Sequence, residues 1–322
     1  MNRFYKNCLE VSKSKINKLL LSVLMYLMCS FPYALVTIAS TYTAEPSKDT
    51  YTDSVAANKN TNYGSQTLLF VGGHGDPNPT FCSTYLCFTT GFSGIPSGSA
   101  VTRVRLVLTD LITSSDTSFP IYLRETTAFN EYNVTGATAP SSVQSFGSIT
   151  RTAGSTVWTW DSSSLSGGNN LKTYVQTKIN AASDCWFLLN TPNSLNATWP
   201  AYYSSEYSVS NMRPKLIIDY NPPSPEIEVQ GNNAIINNGD STPSTADYTD
   251  FGTVVHGSVV DKDFYIYNNG TATLTIGSIS VPSTPIGGFV LMVPPASSIP
   301  PGGSDYFRVR LDASVGTYTG DI

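Results

Sequence analysis

Apolar residues recur in this chain with a period of two, in short runs fenced by turn residues, at 67–71, 85–89, 101–108, 121–124, 157–160, 185–189 and 215–220. Alternation sends successive side chains to opposite faces of a strand. Runs this short and this regularly punctuated predict an all-β chain built from antiparallel β-sandwiches. In the run 101–108, Val104, Leu106 and Leu108 take one face and Arg103, Arg105 and Val107 the other, a core face backed by a mixed one. The one helical pattern is 171–182, where Leu171, Tyr174, Val175 and Ile179 stand at helical spacing and predict one or two turns across a sandwich end. With 40% hydrophobic and 11% aromatic residues there is ample material for cores, and disorder is not expected.

A chain of 322 residues exceeds one typical domain. The break falls at 221–225, Asn-Pro-Pro-Ser-Pro, where three prolines in four residues fix φ and remove backbone donors, giving a short stiff linker. At the other end, Arg3, Lys6, Lys13, Lys15 and Lys18 precede an apolar run at 19–28 and a Thr37-Ile38-Ala39 step with small residues at cleavage offsets. This is the pattern of a secretory signal peptide over residues 1–44, cleaved near 39–44. An uncleaved anchor is the alternative, opposed by Pro32 and by the polar second half of the segment. Either reading carries the rest of the chain out of the cytoplasm, with no membrane contact beyond the signal segment.

Five of the 18 basic residues but only one acid, Glu10, lie in those first 44 positions, so the remainder is more acidic than the net charge of −5 suggests. No basic stripe exists to release counterions from a polyanion, which excludes nucleic acid as a partner. Of five cysteines, Cys82, Cys87 and Cys185 lie beyond the signal. Outside the cytoplasm that odd number allows one internal bridge: Cys82 to Cys87 closing a small loop, or Cys87 to Cys185 across a sheet.

An enzyme is hard to assemble from these residues. His74 and His256 are the two histidines, on either side of the domain break, and no nucleophile elbow, zinc-binding helix or phosphate-cradling glycine loop occurs. Glu131 and Glu206 are the carboxylates a glycosidase would need to oppose in space, and their structural alternative is to accept N–H bonds from loops. In the second domain Asp240, Asp247 and Asp250 share one loop and read as turn makers.

Two segments of the first domain carry a resemblance. KDTYTDSVAANKNTNYGSQTLL at 48–69 and RPKLIIDY at 213–220 bracket it, with Phe129-Asn130-Glu131 and Ser204-Ser205-Glu206 between. Together they resemble the DNRLRE domain of secreted bacterial proteins, a jelly-roll-like sandwich grouped with carbohydrate-binding modules, here over 46–220. Phe129 stands where that family typically has Trp. The second domain, 226–322, is similar to the immunoglobulin-like repeats of the ASPM, SPD-2 and hydin type found in choice-of-anchor surface proteins. Its FYIYNNGTATLTI segment reads as two strands, with Phe264, Ile266, Leu274 and Ile276 inward, joined by a turn at Asn268-Asn269-Gly270. In that family a further strand follows GTYTG, and this sequence stops at Ile322.

The resemblance implies a non-catalytic binding protein for an extracellular polysaccharide or cell-surface glycan, with the second sandwich as spacer or display domain. Sugar rings are held by flat apolar surfaces with a few orienting polar groups. Trp199, Tyr202 and Tyr203 form the best such cluster, with Asn196 to bond hydroxyls and Tyr132 as a further ring. Trp158 and Trp160 share a strand face and read as core. A structural Ca2+ ion, as in many sandwich-type modules, is expected from the resemblance at Asp49, Asp53 and Asp219 if the first and last strands pair. The alternatives are a structural or adhesive surface protein without sugar binding, and an accessory piece of a polysaccharide-degrading enzyme.

Overall fold

The computed structural model describes residues 39–74, 80–89, 92–111, 119–151, 155–192, 200–279 and 288–313. The chain divides into two compact units between Pro222 and Pro223, inside the proline segment. In chain order the first unit holds β1 (Ser40–Ala44), β2 (Lys48–Asp53), β3 (Leu68–Phe70), β4 (Gly72–His74), β5 (Thr80–Phe88), β6 (Ala100–Thr109), β7 (Phe119–Thr126), β8 (Ser142–Arg151), β9 (Val157–Asp161), helix α1 (Gly168–Asn180), β10 (Cys185–Asn190), β11 (Ala201–Tyr203) and β12 (Lys215–Asn221).

Two antiparallel sheets make the sandwich, one ordered β1-β12-β6-β9 and the other β2-β5-β10-β7-β8 with β4 alongside β5; β3 and β11 pair separately. All seven period-two runs overlap strands. β1 was not expected: residues 40–44 pair with β12, Ser40 opposite Tyr220. The folded domain therefore opens at 40 and not at 46. Of the expected signal segment 1–44, residues 1–38 lie outside the described residues, and 40–44 form β1.

Between the sheets Val104, Leu106, Leu108, Leu216 and Ile218 face Leu86, Phe88, Ile121, Leu123 and Phe187 in one continuous core. Val104, Leu106 and Leu108 are fully buried, as the alternation requires. Trp158 and Trp160 also face inward, and the Trp160 Nε1–H donates to the Ile121 carbonyl at 3.0 Å, a hydrogen bond from β9 in one sheet to β7 in the other. The helix is longer than expected, 13 residues, and buries Leu171, Tyr174 and Val175. Its start packs tightly on the end of β9: a Cβ at Gly168 would stand 1.8 Å from the Ser162 carbonyl oxygen.

The second unit has its own core and is described by itself. β13 (Ile227–Gly231), β14 (Ala234–Ile236), β15 (Val259–Asn268), β16 (Leu274–Thr275), β17 (Gly288–Val293), β18 (Ser298–Ile299) and β19 (Ser304–Asp312) form a sheet ordered β14-β13-β15-β19-β17 and a two-stranded β16–β18 sheet. Phe264 and Phe307 stack on adjacent strands, with ring centroids 5.2 Å apart. Phe264, Ile266, Leu274 and Ile276 are all buried, but they do not form a hairpin. β15 pairs with β13 and β19, whereas β16 pairs with β18. The buried Asn268 side chain redirects the chain, donating to the Ala272 and Ile299 carbonyls and accepting the Gly270 N–H. Asp240, Asp247 and Asp250 make turns as expected, each accepting the N–H two residues on. Residues 314–322, which include the GTYTG segment, lie outside the described residues.

Candidate functional site

Four segments far apart in sequence converge on the free edge of β2. Asp49 lies in that edge strand, and its backbone N–H donates to the Glu131 Oε1 at 2.6 Å. An edge donor left open would invite pairing with another chain; here a carboxylate covers it. Glu131 begins a 3-10 turn, Glu131–Asn133, started by Asn130, whose side chain accepts the Tyr132 N–H at 3.1 Å. Asn62 ties this turn down by donating to the Glu131 and Val134 carbonyls at 2.7 and 2.8 Å. Gly64 lets it approach, since a Cβ there would lie 2.6 Å from Glu131 Cγ and 2.8 Å from its carbonyl oxygen.

The fourth segment follows β11. The Ser205 N–H donates to Asp49 Oδ2 at 2.7 Å, and the Ser205 hydroxyl donates to Glu206 Oε1 at 2.9 Å. Ser204 is buried; its hydroxyl donates to the Gln66 carbonyl and accepts the Glu206 N–H. Asp49, Glu131 and Glu206 thus stand with carboxylate oxygens within 4.8 Å of one another. Asp49 and Glu131 are buried and Glu206 is exposed. Asp49 Oδ1 is buried without a hydrogen-bond partner. Burial first, and then the charge of Glu206, pushes the Asp49 carboxyl well above the usual carboxylate range; burial also raises Glu131, against the N–H it accepts from Asp49. The arrangement suits a bound cation or a shared proton.

The expected calcium set does not assemble. Asp49 and Asp53 are four residues apart in one strand, roughly 13 Å by the strand rise. Asp53 instead closes a turn, accepting the Val55 N–H and the Asn58 side-chain amide. Asp219 belongs to the other sheet, where it receives Arg105 at 2.8 and 2.9 Å and the Thr41 hydroxyl. β2 and β12 are not neighbours; it is β1 that pairs with β12.

Nor does either expected disulfide form, because all three cysteines are free. Cys82 and Cys87 sit in the single extended strand β5 at odd spacing, facing opposite ways and too far apart for a bridge. Cys185 stands opposite Phe88 and Trp186 opposite Cys87, so Cys87 and Cys185 face opposite sides of their sheet. Burial pushes the Cys82 thiol up to about 12 and the Cys87 thiol up to about 11.

The aromatic candidates separate. Tyr202 is fully buried in the core and cannot meet a sugar. Tyr203, next in the strand, points the other way and packs on Tyr207 with centroids 4.1 Å apart. Tyr132, in the turn beside Glu131, is 66% exposed. Trp199 and Asn196 lie outside the described residues. Sequence reasoning passed over a group on the outer face of the β2–β8 sheet. There the Arg124 guanidinium lies 5.1 Å above the Tyr122 ring and donates to Asn190 Oδ1 at 3.1 Å, and the Lys48 ammonium lies 5.2 Å from the Trp186 ring. The signal for it was present, since Tyr122 and Arg124 alternate with the core residues Ile121 and Leu123.

A model of carbohydrate-binding module family 96 matches residues 40–220, more than half the chain, from the first residue of β1 almost to the end of β12. No curated protein matches the chain. No helix among the described residues is long and apolar enough to cross a membrane.

Proposed function

The chain belongs to carbohydrate-binding module family 96, and from that premise we propose that it is an extracellular protein whose first sandwich binds a polysaccharide without cleaving it, the second unit serving as spacer or display domain. The observation that carries the choice of surface is Tyr132. It is the one aromatic ring of the first unit that is mostly exposed among the described residues, and its turn is clamped by Asn62, Asn130 and the Asp49–Glu131 bond. A ring fixed in this way stacks on a pyranose at little entropic cost. Tyr203 and Tyr207 flank Glu206 in sequence, on the segment bonded to Asp49, and supply a second apolar surface.

The test is retention of the full chain on a panel of insoluble and immobilised plant, algal and bacterial polysaccharides, comparing wild type with Tyr132→Ala and Tyr122→Ala. Selective retention that falls about tenfold or more in Tyr132→Ala but survives Tyr122→Ala places the sugar on the turn. The reverse pattern moves it to the sheet face. Loss in neither variant but in Trp199→Ala moves it to that residue. Retention of wild type on nothing overturns the reading in favour of a structural or adhesive role.

A further inference from the structure

We propose that Asp49, Glu131 and Glu206 bind a hard divalent cation of the calcium class, and that the ion fastens the edge of β2 to the Glu131–Asn133 turn and to the segment after β11. Three observations converge on it. The three carboxylates offer oxygens within 4.8 Å of one another, the span that two ligands at about 2.4 Å on opposite sides of a Ca2+ ion have. The side chain of Asp49, 1% exposed, leaves Oδ1 buried without any hydrogen-bond donor. A carboxylate oxygen desolvated in this way costs free energy unless something positive meets it. No arginine or lysine forms an ion pair with any of the three among the described residues; Lys48 acts on Glu131 only as a weaker, more distant charge.

The donor set chooses the ion. It contains oxygen alone, with no histidine or cysteine, which disfavours zinc and copper. Glu206 is exposed, so the site has an open side where water completes the six to eight ligands that Ca2+ takes. The remaining oxygens of the buried pair are already oriented, Asp49 Oδ2 by the Ser205 N–H and Glu131 Oε1 by the Asp49 N–H. Held acceptors of this kind are what a cation site needs behind its first ligands.

The experiment uses the full chain freed of metal with a chelator, titrated calorimetrically with CaCl2, MgCl2 and ZnCl2 in turn, with melting temperature recorded in each. The result expected is saturable binding of Ca2+ and a rise in melting temperature that the chelator reverses, because a ligand that binds only the folded state stabilises it. Glu206→Gln, at an exposed position, melts no lower than metal-free wild type and weakens Ca2+ by about tenfold or more. Asn in place of Asp49 keeps the acceptor for Ser205 and removes the buried charge, so Asp49→Asn melts no lower than metal-free wild type yet no longer responds to Ca2+. Absence of heat and of a melting shift with Ca2+ overturns the proposal in favour of the shared proton. Tighter binding of Zn2+ than of Ca2+, or Ca2+ binding that both variants retain, overturns it as well. None of these readouts uses a sugar, so the ion site stands or falls independently of the polysaccharide reading.

Discussion

The first sandwich treats its carboxylates in two opposite ways. On the outer face of the β1-β12-β6-β9 sheet each meets an arginine: Asp161 takes Arg103 and Asp219 takes Arg105. Arg103, against the opposing effect of burial, holds the Asp161 carboxyl well below the usual range. At the edge of β2 three carboxylates meet one another instead, and Asp49 and Glu131 are pushed upward. The arginine-paired charges are complete in the fold, and the three that meet one another are not. Neutral pairs on an open sheet face add little and ask for nothing further, whereas buried like charges persist only when a proton or a cation completes them.

The largest effect is expected at Gly64. If the rim is closely built around Glu131, Gly64→Ala forces its Cβ into the Glu131 backbone and destabilises the first unit by about 1–3 kcal/mol in urea unfolding of the chain. An unfolding midpoint equal to wild type would show a looser rim than the geometry requires. A smaller effect is expected across the sandwich. Arg105→Met, which leaves Asp219 with the Thr41 hydroxyl, costs less than about 1 kcal/mol, and a larger loss would make the ion-paired face a structural keystone. The smallest effect is one of pH. The lowered Asp161 carboxyl contributes stability that is complete above about pH 5 and lost as the pH falls through the folded value, below the ordinary ~3.9. The gap in melting temperature between wild type and Arg103→Met, largest at neutral pH, therefore closes toward pH 2.

Much of the sandwich was legible because alternation is a local property. Val104, Leu106 and Leu108 announce their core face, and the helix announces itself through Leu171, Tyr174 and Val175. The same rule, applied harder, would have removed two errors. Tyr202 and Tyr203 are adjacent in a strand and cannot share a surface, and Cys82 and Cys87, at odd spacing in one strand, cannot meet. The rim was legible only in pieces. The DTY, NYG, FNE and SSE motifs marked Asp49, Gly64, Glu131 and Glu206, but nothing local says that positions 49, 131 and 206 converge, because that depends on which strand lies at the sheet edge. β1 was hidden for a different reason: Ser, Thr, Tyr, Thr and Ala at an edge carry a weak apolar signal next to a strong signal-peptide pattern.

The pairing of β1 with β12 sets how the first unit answers to force. Ser40 lies opposite Tyr220, so the chain enters and leaves at the same end of the sandwich on neighbouring antiparallel strands. A load applied through those two points pulls along the line of the ladder hydrogen bonds and parts them one after another, like a zip, instead of shearing the whole row together. A module anchored at one end and gripping its ligand elsewhere carries tension by another path, whereas one strung between two tethers yields first at β1.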